Sequence, residues 1–374
     1  MEEDKFLMRN YFNRSIISKF TERVISSHPE FDGNGFLGYI DKRIDELSFM
    51  DRLRLITEAL CHYLPKNFPD AVRILLDALH PAHQKESFDG LGIMVLPQAA
   101  YVSKYGLEHF DLSMNTLYEM TKRASAEFEV RYFIIKDQDK ALAYMHKWAV
   151  DPDPAVRRLA SEGSRPRLPW GVRLQSFCDN PAPVIAILEK MKHDPDEVVR
   201  RSVANNINDI AKDHPDTAAD LLIEWSKAGT PEMKKLVKHA SRTLVKMGHP
   251  KALALSGASH QAQITFSDAV IETKSLNLGE SLIFSFSVVS EAEAEQNLII
   301  DYIIRFKKAN GSNAPKVFKL TARSIGAEEK IKISKKHRIH KITTREYYPG
   351  EQFLDIQING KVYPAGSFIL NINQ

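Results

Sequence analysis

The chain has 374 residues, which is enough for two or three domains with a sizeable buried core. A hydrophobic content of 43% and a charged content of 26% are ordinary for a soluble globular protein, and a formal net charge of +3 requires no polyanionic partner. The two cysteines, Cys61 and Cys178, are far apart, which excludes a disulfide framework and a thiolate zinc site. The charged N-terminus lacks the apolar core of a signal peptide, and no run reaches the roughly 18 apolar residues of a membrane span. We expect a soluble cytoplasmic protein without a membrane partner.

The first two thirds of the chain have the pattern of amphipathic helices. Apolar side chains recur there at helical spacing, with charged residues on the opposite faces and with proline and glycine between the segments. Helices are predicted over residues 6–20, 51–64, 69–79, 112–125, 140–150, 183–193 and 217–228. We therefore predict that residues 1–255 form one α-helical domain.

The later part of this helical region repeats itself. The segment DPDPAVRRLAS at residues 151–161 matches DPDEVVRRSVA at residues 194–204, a shift of 43 positions. Weaker copies begin at Thr230 and Phe128. Helix pairs that recur about every 40 to 47 residues are the signature of HEAT repeats, which stack into a superhelix. We predict a HEAT-like array whose concave face is formed by the second helix of each pair.

The composition changes near residues 253–262, which are small and polar, as in a linker. Seven short, largely alternating β-branched runs follow in about 110 residues, and this pattern predicts an immunoglobulin-like β-sandwich over residues 263–374. Residues 258–374 hold 15 Lys and Arg against 12 Asp and Glu, so the net charge of +3 falls on this part. Its densest basic cluster is KISKKHRIHK at residues 332–341. The predicted fold is therefore multidomain, α followed by β.

Polar residues on the second helices admit two interpretations. Structurally, one arginine of each repeat pairs with an aspartate of a neighbouring repeat, either Asp151 or Asp194. Functionally, an arginine on every helix pair of a concave face matches the phosphates of a curved polyanion. The candidate phosphate-binding residues are Arg157, Arg158, Arg200, Arg201 and Asn205.

Three carboxylates lie among these basic residues. They are Glu127 near Arg131, Glu162 near Arg158 and Asp209 near Arg201. Each alone fits a helical salt bridge worth a few tenths of a kcal/mol. Together they place negative charge in a groove that otherwise suits phosphate, and a cationic ligand or transition state would explain them. Trp170, in the loop after Glu162, is either a rigid aromatic beside the acids or an anchor of that loop in the core.

Two strings carry a resemblance to a known family. VRRSVANNINDIAKDHPD at residues 199–216 and ASEGSRPRLPWG at residues 160–171, with a HEAT array around them, resemble the bacterial DNA alkylation repair glycosylases of the AlkC/AlkD type. The β-sandwich after the array makes AlkC the closer match, since AlkD-like members end with the helical repeats. The resemblance covers essentially the whole chain.

This resemblance implies a monofunctional DNA glycosylase that excises cationic N3-alkylated bases, such as 3-methyladenine and 3-methylcytosine, from double-stranded DNA. It also implies excision without flipping of the base, and it requires neither a metal nor another cofactor. It places the active-site acids at Glu127, Glu162 and Asp209, with Trp170 beside them. Carboxylates there would stabilise an oxocarbenium-like sugar. No lysine stands out as a Schiff-base nucleophile, so we expect no lyase activity.

The basic sandwich is predicted to complete a clamp around the duplex. Its candidate DNA contacts are Lys335, Lys336, Arg338 and Lys341. The alternative is a non-catalytic HEAT scaffold that binds structured DNA or a protein partner. The acids separate the two functions, because a pure binder gains affinity when a carboxylate is neutralised and an enzyme loses turnover. We expect a monomer in either case.

Overall fold

The computed structural model describes residues 7–82, 91–342 and 345–372. These residues fold into two compact units, the first ending at Asp213 and the second beginning at His214. The last helices of the chain therefore group with the β-strands. The boundary predicted between residues 255 and 263 is the place where helices give way to strands. That this place also divides two domains stays a prediction.

The first unit is helical. Its described α-helices are α1 (Arg14–Ser27), α2 (Gly33–Asp41), α3 (Phe49–Tyr63), α4 (Phe68–Asp77), α5 (Val95–Tyr105), α6 (Phe110–Thr121), α7 (Val130–Lys136), α8 (Gln138–Trp148), α9 (Pro154–Gly163), α10 (Gln175–Asp179), α11 (Ala182–Met191) and α12 (Glu197–Ile210). Two short 3-10 helices, Met8–Tyr11 and Leu91–Met94, precede α1 and α5. The helix predicted over residues 6–20 begins later than expected, because the Asn13 side chain accepts the Ile16 amide and caps α1. Residue 6 lies outside the described residues.

The repeat predicted from the 43-residue shift is confirmed as a repeat of local structure. Asp153 and Asp196 occupy the same place, since each carboxylate accepts a backbone N–H in the first turn of α9 or α12. Thr230 caps the second helix of the weaker copy in the same way. Val199, Val203 and Ile207 of α12 are completely buried, whereas Val198 beside them is 46% exposed. The α-helical repeat array is therefore the architecture that the periodicity predicts.

The second unit contains four helices and eight strands in its described part. The helices are α13 (Pro215–Ser226), α14 (Pro231–Ala240), α15 (Arg242–Lys246) and α16 (Pro250–Leu255). The strands are β1 (Ile264–Ile271), β2 (Ser275–Asn277), β3 (Ser281–Ser290), β4 (Gln296–Lys307), β5 (Asn313–Ile325), β6 (Lys330–Arg338), β7 (Gly350–Ile358) and β8 (Lys361–Asn371). The seven predicted strands are confirmed, and the short β2 is an addition to them.

The strands form two sheets around one apolar core, as predicted for an immunoglobulin-like sandwich. The orders are β1-β3-β6 and β2-β8-β7-β4-β5, and the described neighbours are antiparallel except for β2 with β8. Phe286 of β3 and Ile304 of β4 are fully buried in this core. Strand β6 lies at the edge of its sheet, and its side chains alternate between the core and solvent.

A glycine contact explains why the last helices group with the sandwich. A Cβ added to Gly248 would lie 2.4 Å from the Cα of Gly360, and both glycines have positive φ. The side-chain amide of Gln357 also donates to the carbonyl oxygen of Lys246 at 3.0 Å. Only a residue without a side chain permits this close approach of two backbones. No helix in the described part of the chain combines the length and the apolarity needed to cross a bilayer.

Candidate active site

The three acids singled out from the sequence meet in one cluster of ion pairs. Glu127 precedes α7, while Glu162 and Asp209 stand in the last turns of α9 and α12. Two arginines connect them, one from α9 and one from the loop that follows it. Arg158 contacts Glu127 at 2.6 Å and lies 3.9 Å from Glu162, and Arg165 contacts both Glu162 and Asp209. Consecutive repeats thus contribute to a single charged site.

Glu127 is the most accessible of the three acids, with 15% of its side chain exposed. Its Oε2 accepts a hydrogen bond from the Ser125 hydroxyl at 2.6 Å and another from Arg158 Nη1, also at 2.6 Å. Arg158 Nη1 also donates to Ser125 Oγ at 3.1 Å. The helical pairing expected between Glu127 and Arg131 is wrong, because the Arg131 guanidinium donates to backbone carbonyls instead.

Glu162 is held through both of its oxygens. Arg165 Nη1 donates to Oε1 at 2.6 Å, and the Ser202 hydroxyl donates to Oε2 at 2.5 Å. Ser202 is buried on α12 and also contacts Ser161 at 3.0 Å. Asn206, one turn further on, donates to the Ser161 carbonyl at 2.8 Å. Arg165 and Ser202 therefore fix one carboxylate oxygen each, and the contacts of Ser202 and Asn206 with Ser161 hold the neighbouring residue against α12.

Asp209 is almost fully buried, with 1% of its side chain exposed. Arg165 Nε donates to its Oδ2 at 2.8 Å, and Lys212 Nζ donates to its Oδ1 at 2.8 Å. The sequence offers Arg201 as the neighbouring cation of this carboxylate, whereas the structure pairs Asp209 with Arg165 and Lys212. Since the Lys212 side chain is 42% exposed, it is the partner that can leave most easily.

Trp170 does not anchor its loop in the core, because it is 77% exposed. Its φ of +68° lies in the left-handed region, which is an outlier for a bulky residue and is characteristic of functional sites. The loop between α9 and α10 also carries Arg165, so the indole and the central arginine of the acid cluster share one short segment. Of the two interpretations of Trp170, only the exposed aromatic agrees with the structure.

The arginine pairs divide between structural and accessible positions. Arg157 contacts both oxygens of Asp194, at 2.6 and 3.0 Å, and this hydrogen bonding raises the pKa of Arg157. Arg157 and Arg200 also donate to the two carbonyls of their own repeat loop. Arg157 therefore pairs with an aspartate of the neighbouring repeat, as the structural interpretation predicts. A phosphate contact by Arg157 stays a prediction. Arg201 is exposed, and Asn205 is partly buried on the same helix.

The predicted basic contacts of the sandwich also divide. Lys336 and Arg338 point to solvent from β6, and Lys341 is exposed beyond its end. Lys335 lies on the opposite face, the same as His337, and is partly buried. Burial lowers the pKa of His337 to about 4, and its Nδ1 lies 2.8 Å from the Tyr302 hydroxyl. The exposed face of β6 is thus the basic one, as strand alternation requires.

One basic surface was missed in the sequence. Lys234, Lys238, Arg242 and Lys246 recur every four residues along α14 and α15, and all four are exposed. Their four-residue spacing is visible in the sequence, within and after the weaker copy of the repeat that begins at Thr230. Arg165 and Ser202 were also missed, although both lie in the strings that carry the family resemblance.

In the described part of the chain, no three His, Cys, Asp or Glu side chains are grouped to hold a metal ion.

Comparison with known proteins identifies similar chains and a matching domain family. The model of a family described as the C-terminal Ig-like domain of the uncharacterised protein YhaZ matches residues 265–372. The uncharacterised protein YhaZ of Bacillus subtilis is 38% identical over 365 residues, which cover 96% of this chain and 98% of that protein. The solved structure of the alkylpurine DNA glycosylase AlkC of Pseudomonas fluorescens, bound to DNA with an abasic-site analogue, matches with a TM-score of 0.87 and 36% identity. That match covers 98% of this chain and 100% of the other.

Proposed function

This chain belongs to the AlkC family of DNA glycosylases, and we propose that it excises cationic N3-alkylated bases from double-stranded DNA. The observation that carries the proposal is the meeting of Glu127, Glu162 and Asp209 in one ion-pair cluster, with an exposed Trp170 in the adjoining loop. The substrates we propose are 3-methyladenine and 3-methylcytosine. Both carry a positive charge before reaction, so each leaves as a neutral base without a general acid.

The chemistry needs a stabiliser of positive charge at the sugar. When the glycosidic bond breaks, its electron pair goes to the departing base and the sugar becomes an oxocarbenium-like cation. Water then adds to the anomeric carbon and gives up a proton, which leaves an abasic site. Glu127 has the best access to the sugar and to this water, whereas Glu162 and Asp209 act as fixed negative charges behind it.

DNA binding supplies the step that makes the cluster anionic. In the free protein the three acids are paired with Arg158, Arg165 and Lys212. Arg158 is 27% exposed and faces the most accessible acid. A phosphate that draws Arg158 away leaves Glu127 with one cation fewer at the moment when the cationic base arrives. Substrate binding and activation of the acid are thereby coupled.

The remaining basic surfaces are proposed to hold the duplex through its phosphates. They are the exposed side chains of α12, of α14 and α15, and of β6 with the segment after it: Arg201, Lys234, Lys238, Arg242, Lys246, Lys336, Arg338 and Lys341. A largely exposed indole can lie against a base that stays stacked, so we also propose excision without base flipping. The chain acts as a monomer with neither a metal nor a cofactor, and it does not cleave the abasic strand.

Release of 3-methyladenine from methylated duplex DNA tests the proposal. Wild type is expected to release the base, and strand breaks should appear only after alkali. Asp209→Asn and Glu127→Gln are expected to bind the DNA but to lose release, while Glu58→Gln, an exposed acid on α3, serves as the matched control. Absence of release by wild type, with tighter DNA binding by Asp209→Asn, would favour the non-catalytic scaffold.

A further inference from the structure

The loop that carries Trp170 adopts a conformation that something must hold. Trp170 combines a left-handed backbone with an exposed side chain, so its own burial does not fix it. Within the loop, two backbone hydrogen bonds are present, from the amide of Gly171 to Leu168 and from that of Leu174 to Pro166, both 3.1 Å. These bonds close local turns but do not connect the loop to a helix.

Arg131 of α7 connects the backbone of the loop to a helix, while the side chain of Arg167 ties the loop to Asp213, just after α12. The Arg131 guanidinium donates to the carbonyl of Val172 from Nε at 2.7 Å and from Nη2 at 2.5 Å. Nη1 donates to the carbonyls of Gly163 and Arg165, at 3.0 and 2.7 Å, and Nη2 reaches that of Pro166 at 3.5 Å. The acceptors lie on both sides of Trp170 in the sequence. The planar fork of an arginine is suited to gathering several carbonyls in this way.

The environment of Arg131 is costly for a charge. The side chain is completely buried, and all five of its hydrogen bonds go to neutral backbone carbonyls. Burial and the nearby Arg165 lower the pKa of Arg131 to about 10, so the guanidinium is still charged at neutral pH. A buried cation without a carboxylate partner in its own hydrogen bonds contributes little net stability. Holding the loop is the role that accounts for it.

The fit between Arg131 and the loop leaves no free space. A Cβ added to Gly171 would lie 3.1 Å from Arg131 Nε and 3.3 Å from its Cδ. Gly171 directly follows Trp170, so a shift of the Gly171 backbone away from Arg131 would also displace the indole. Since the Arg165 carbonyl is another acceptor, the same clamp also holds the backbone of the arginine that bridges Glu162 and Asp209.

We infer that Arg131 is a positioning residue that sets the place of the Trp170 indole and of Arg165 through the backbone of their loop. The inference rests on the proposed function, because it assigns the indole a role at the damaged base. A displacement of about 1 Å in a positioned group can cost roughly 100-fold in rate. Loosening the clamp should therefore lower excision without removing any group that touches the substrate.

Tryptophan fluorescence tests the clamp without DNA. Trp148 and Trp225 are each 2% exposed against 77% for Trp170, so acrylamide quenches Trp170 selectively, and Trp170→Ala identifies its signal. Arg131→Lys keeps the charge but loses the fork, and Gly171→Ala presses on the guanidinium and leaves all donors in place. The matched control is Arg52→Lys, because Arg52 is a buried arginine that also donates to several backbone carbonyls, in the α3 region.

We expect Arg131→Lys and Gly171→Ala to change the quenching constant and lower the anisotropy of Trp170, whereas Arg52→Lys changes neither. Excision should fall, and Arg131→Lys combined with Trp170→Ala should lose less than the product of the two single losses, because part of the effect of Arg131 acts through the indole. If Arg131→Lys does not fold, Gly171→Ala decides the matter. Folded variants with the quenching and anisotropy of wild type would overturn the inference. Lack of base release by wild type refutes only the proposed function, since the fluorescence still reports on the loop.

Discussion

Arg158 donates from Nη1 to the Oε2 of Glu127 across 2.6 Å, in a pair whose two members stay 27% and 15% exposed. We propose that Arg158 has two competing partners, this carboxylate in the free protein and a phosphate in the complex with DNA. Both members of the pair are largely buried, so a charge-assisted contact of Arg158 with a phosphate has to offset the contact that it loses with Glu127. The relationship explains how acids can occupy a surface that must also bind a polyanion.

Arg158→Gln should weaken DNA binding more than it slows excision. Loss of one phosphate contact reduces the slope of log affinity against log salt by about one. The rate at saturating DNA should change much less, because Glu127 is already free of its partner in this variant. Binding isotherms at several salt concentrations, together with single-turnover rates, measure both quantities. An unchanged salt slope would show that Arg158 does not contact phosphate.

Arg157→Gln changes the neighbouring arginine of α9 and should affect stability rather than DNA binding. Arg157 pairs with a buried Asp194, whose side chain is 3% exposed, so the substitution leaves an unpaired buried carboxylate. Breaking such a pair typically costs roughly 3–5 kcal/mol. Urea denaturation should show this loss, while the salt dependence of DNA binding stays close to that of wild type. A variant of normal stability with a reduced salt slope would instead support a phosphate contact by Arg157.

The stability of the first unit should depend on pH through Glu129. Burial raises the pKa of this carboxyl to about 8, and one of its oxygens has no hydrogen-bond partner within the described chain. Because the folded pKa exceeds the unfolded one, the folded protein holds the proton more tightly. This contribution is present at acidic pH and is lost as the pH rises through about 8.

Glu129→Gln removes that titration. Its melting temperature relative to wild type should therefore increase steadily from about pH 5 to about pH 8, and the difference should level off above that range. Glu232→Gln, an exposed acid on α14, provides the control and should show no such trend. A pH-independent difference between Glu129→Gln and wild type would mean that Glu129 is ionised in the folded protein.

The basic surface on α14 and α15 should contribute to DNA affinity without affecting the rate of base excision. Lys234→Gln combined with Lys238→Gln is expected to lower the salt slope by about two and to leave the single-turnover rate unchanged. Lys227→Gln is the matched control, because this exposed lysine already pairs with Glu224. Equal salt slopes for the double variant and this control would show that the basic surface on α14 and α15 does not contact DNA phosphates.

Much of the fold follows from local patterns in the sequence. The 43-residue shift predicts the shared place of Asp153 and Asp196, because an N-cap depends only on the residues of its own turn. Alternation along β6 likewise determines that Lys336 faces solvent while Lys335 does not. These features need no knowledge of distant contacts.

The sequence predicts which acids belong to the candidate site, but it does not predict the contacts that these acids make. Arg165 and Asp209 are 44 positions apart, and their contact depends on how two helices pack. Helical periodicity gives the face on which a side chain lies, not the acceptor that it reaches. For the same reason, the sequence left Arg157 between a phosphate and an aspartate, and it gave no sign that Asp209 would be buried.

The most direct test of the acid cluster is single-turnover release of 3-methyladenine from duplex DNA by wild type and by Glu127→Gln, each at saturating protein. Binding of both proteins to DNA with an abasic-site analogue is measured in parallel. We expect Glu127→Gln to bind at least as tightly as wild type and to lose roughly 100-fold or more in rate, the size expected for removal of a group that stabilises developing charge. Equal rates for the two proteins would contradict this expectation.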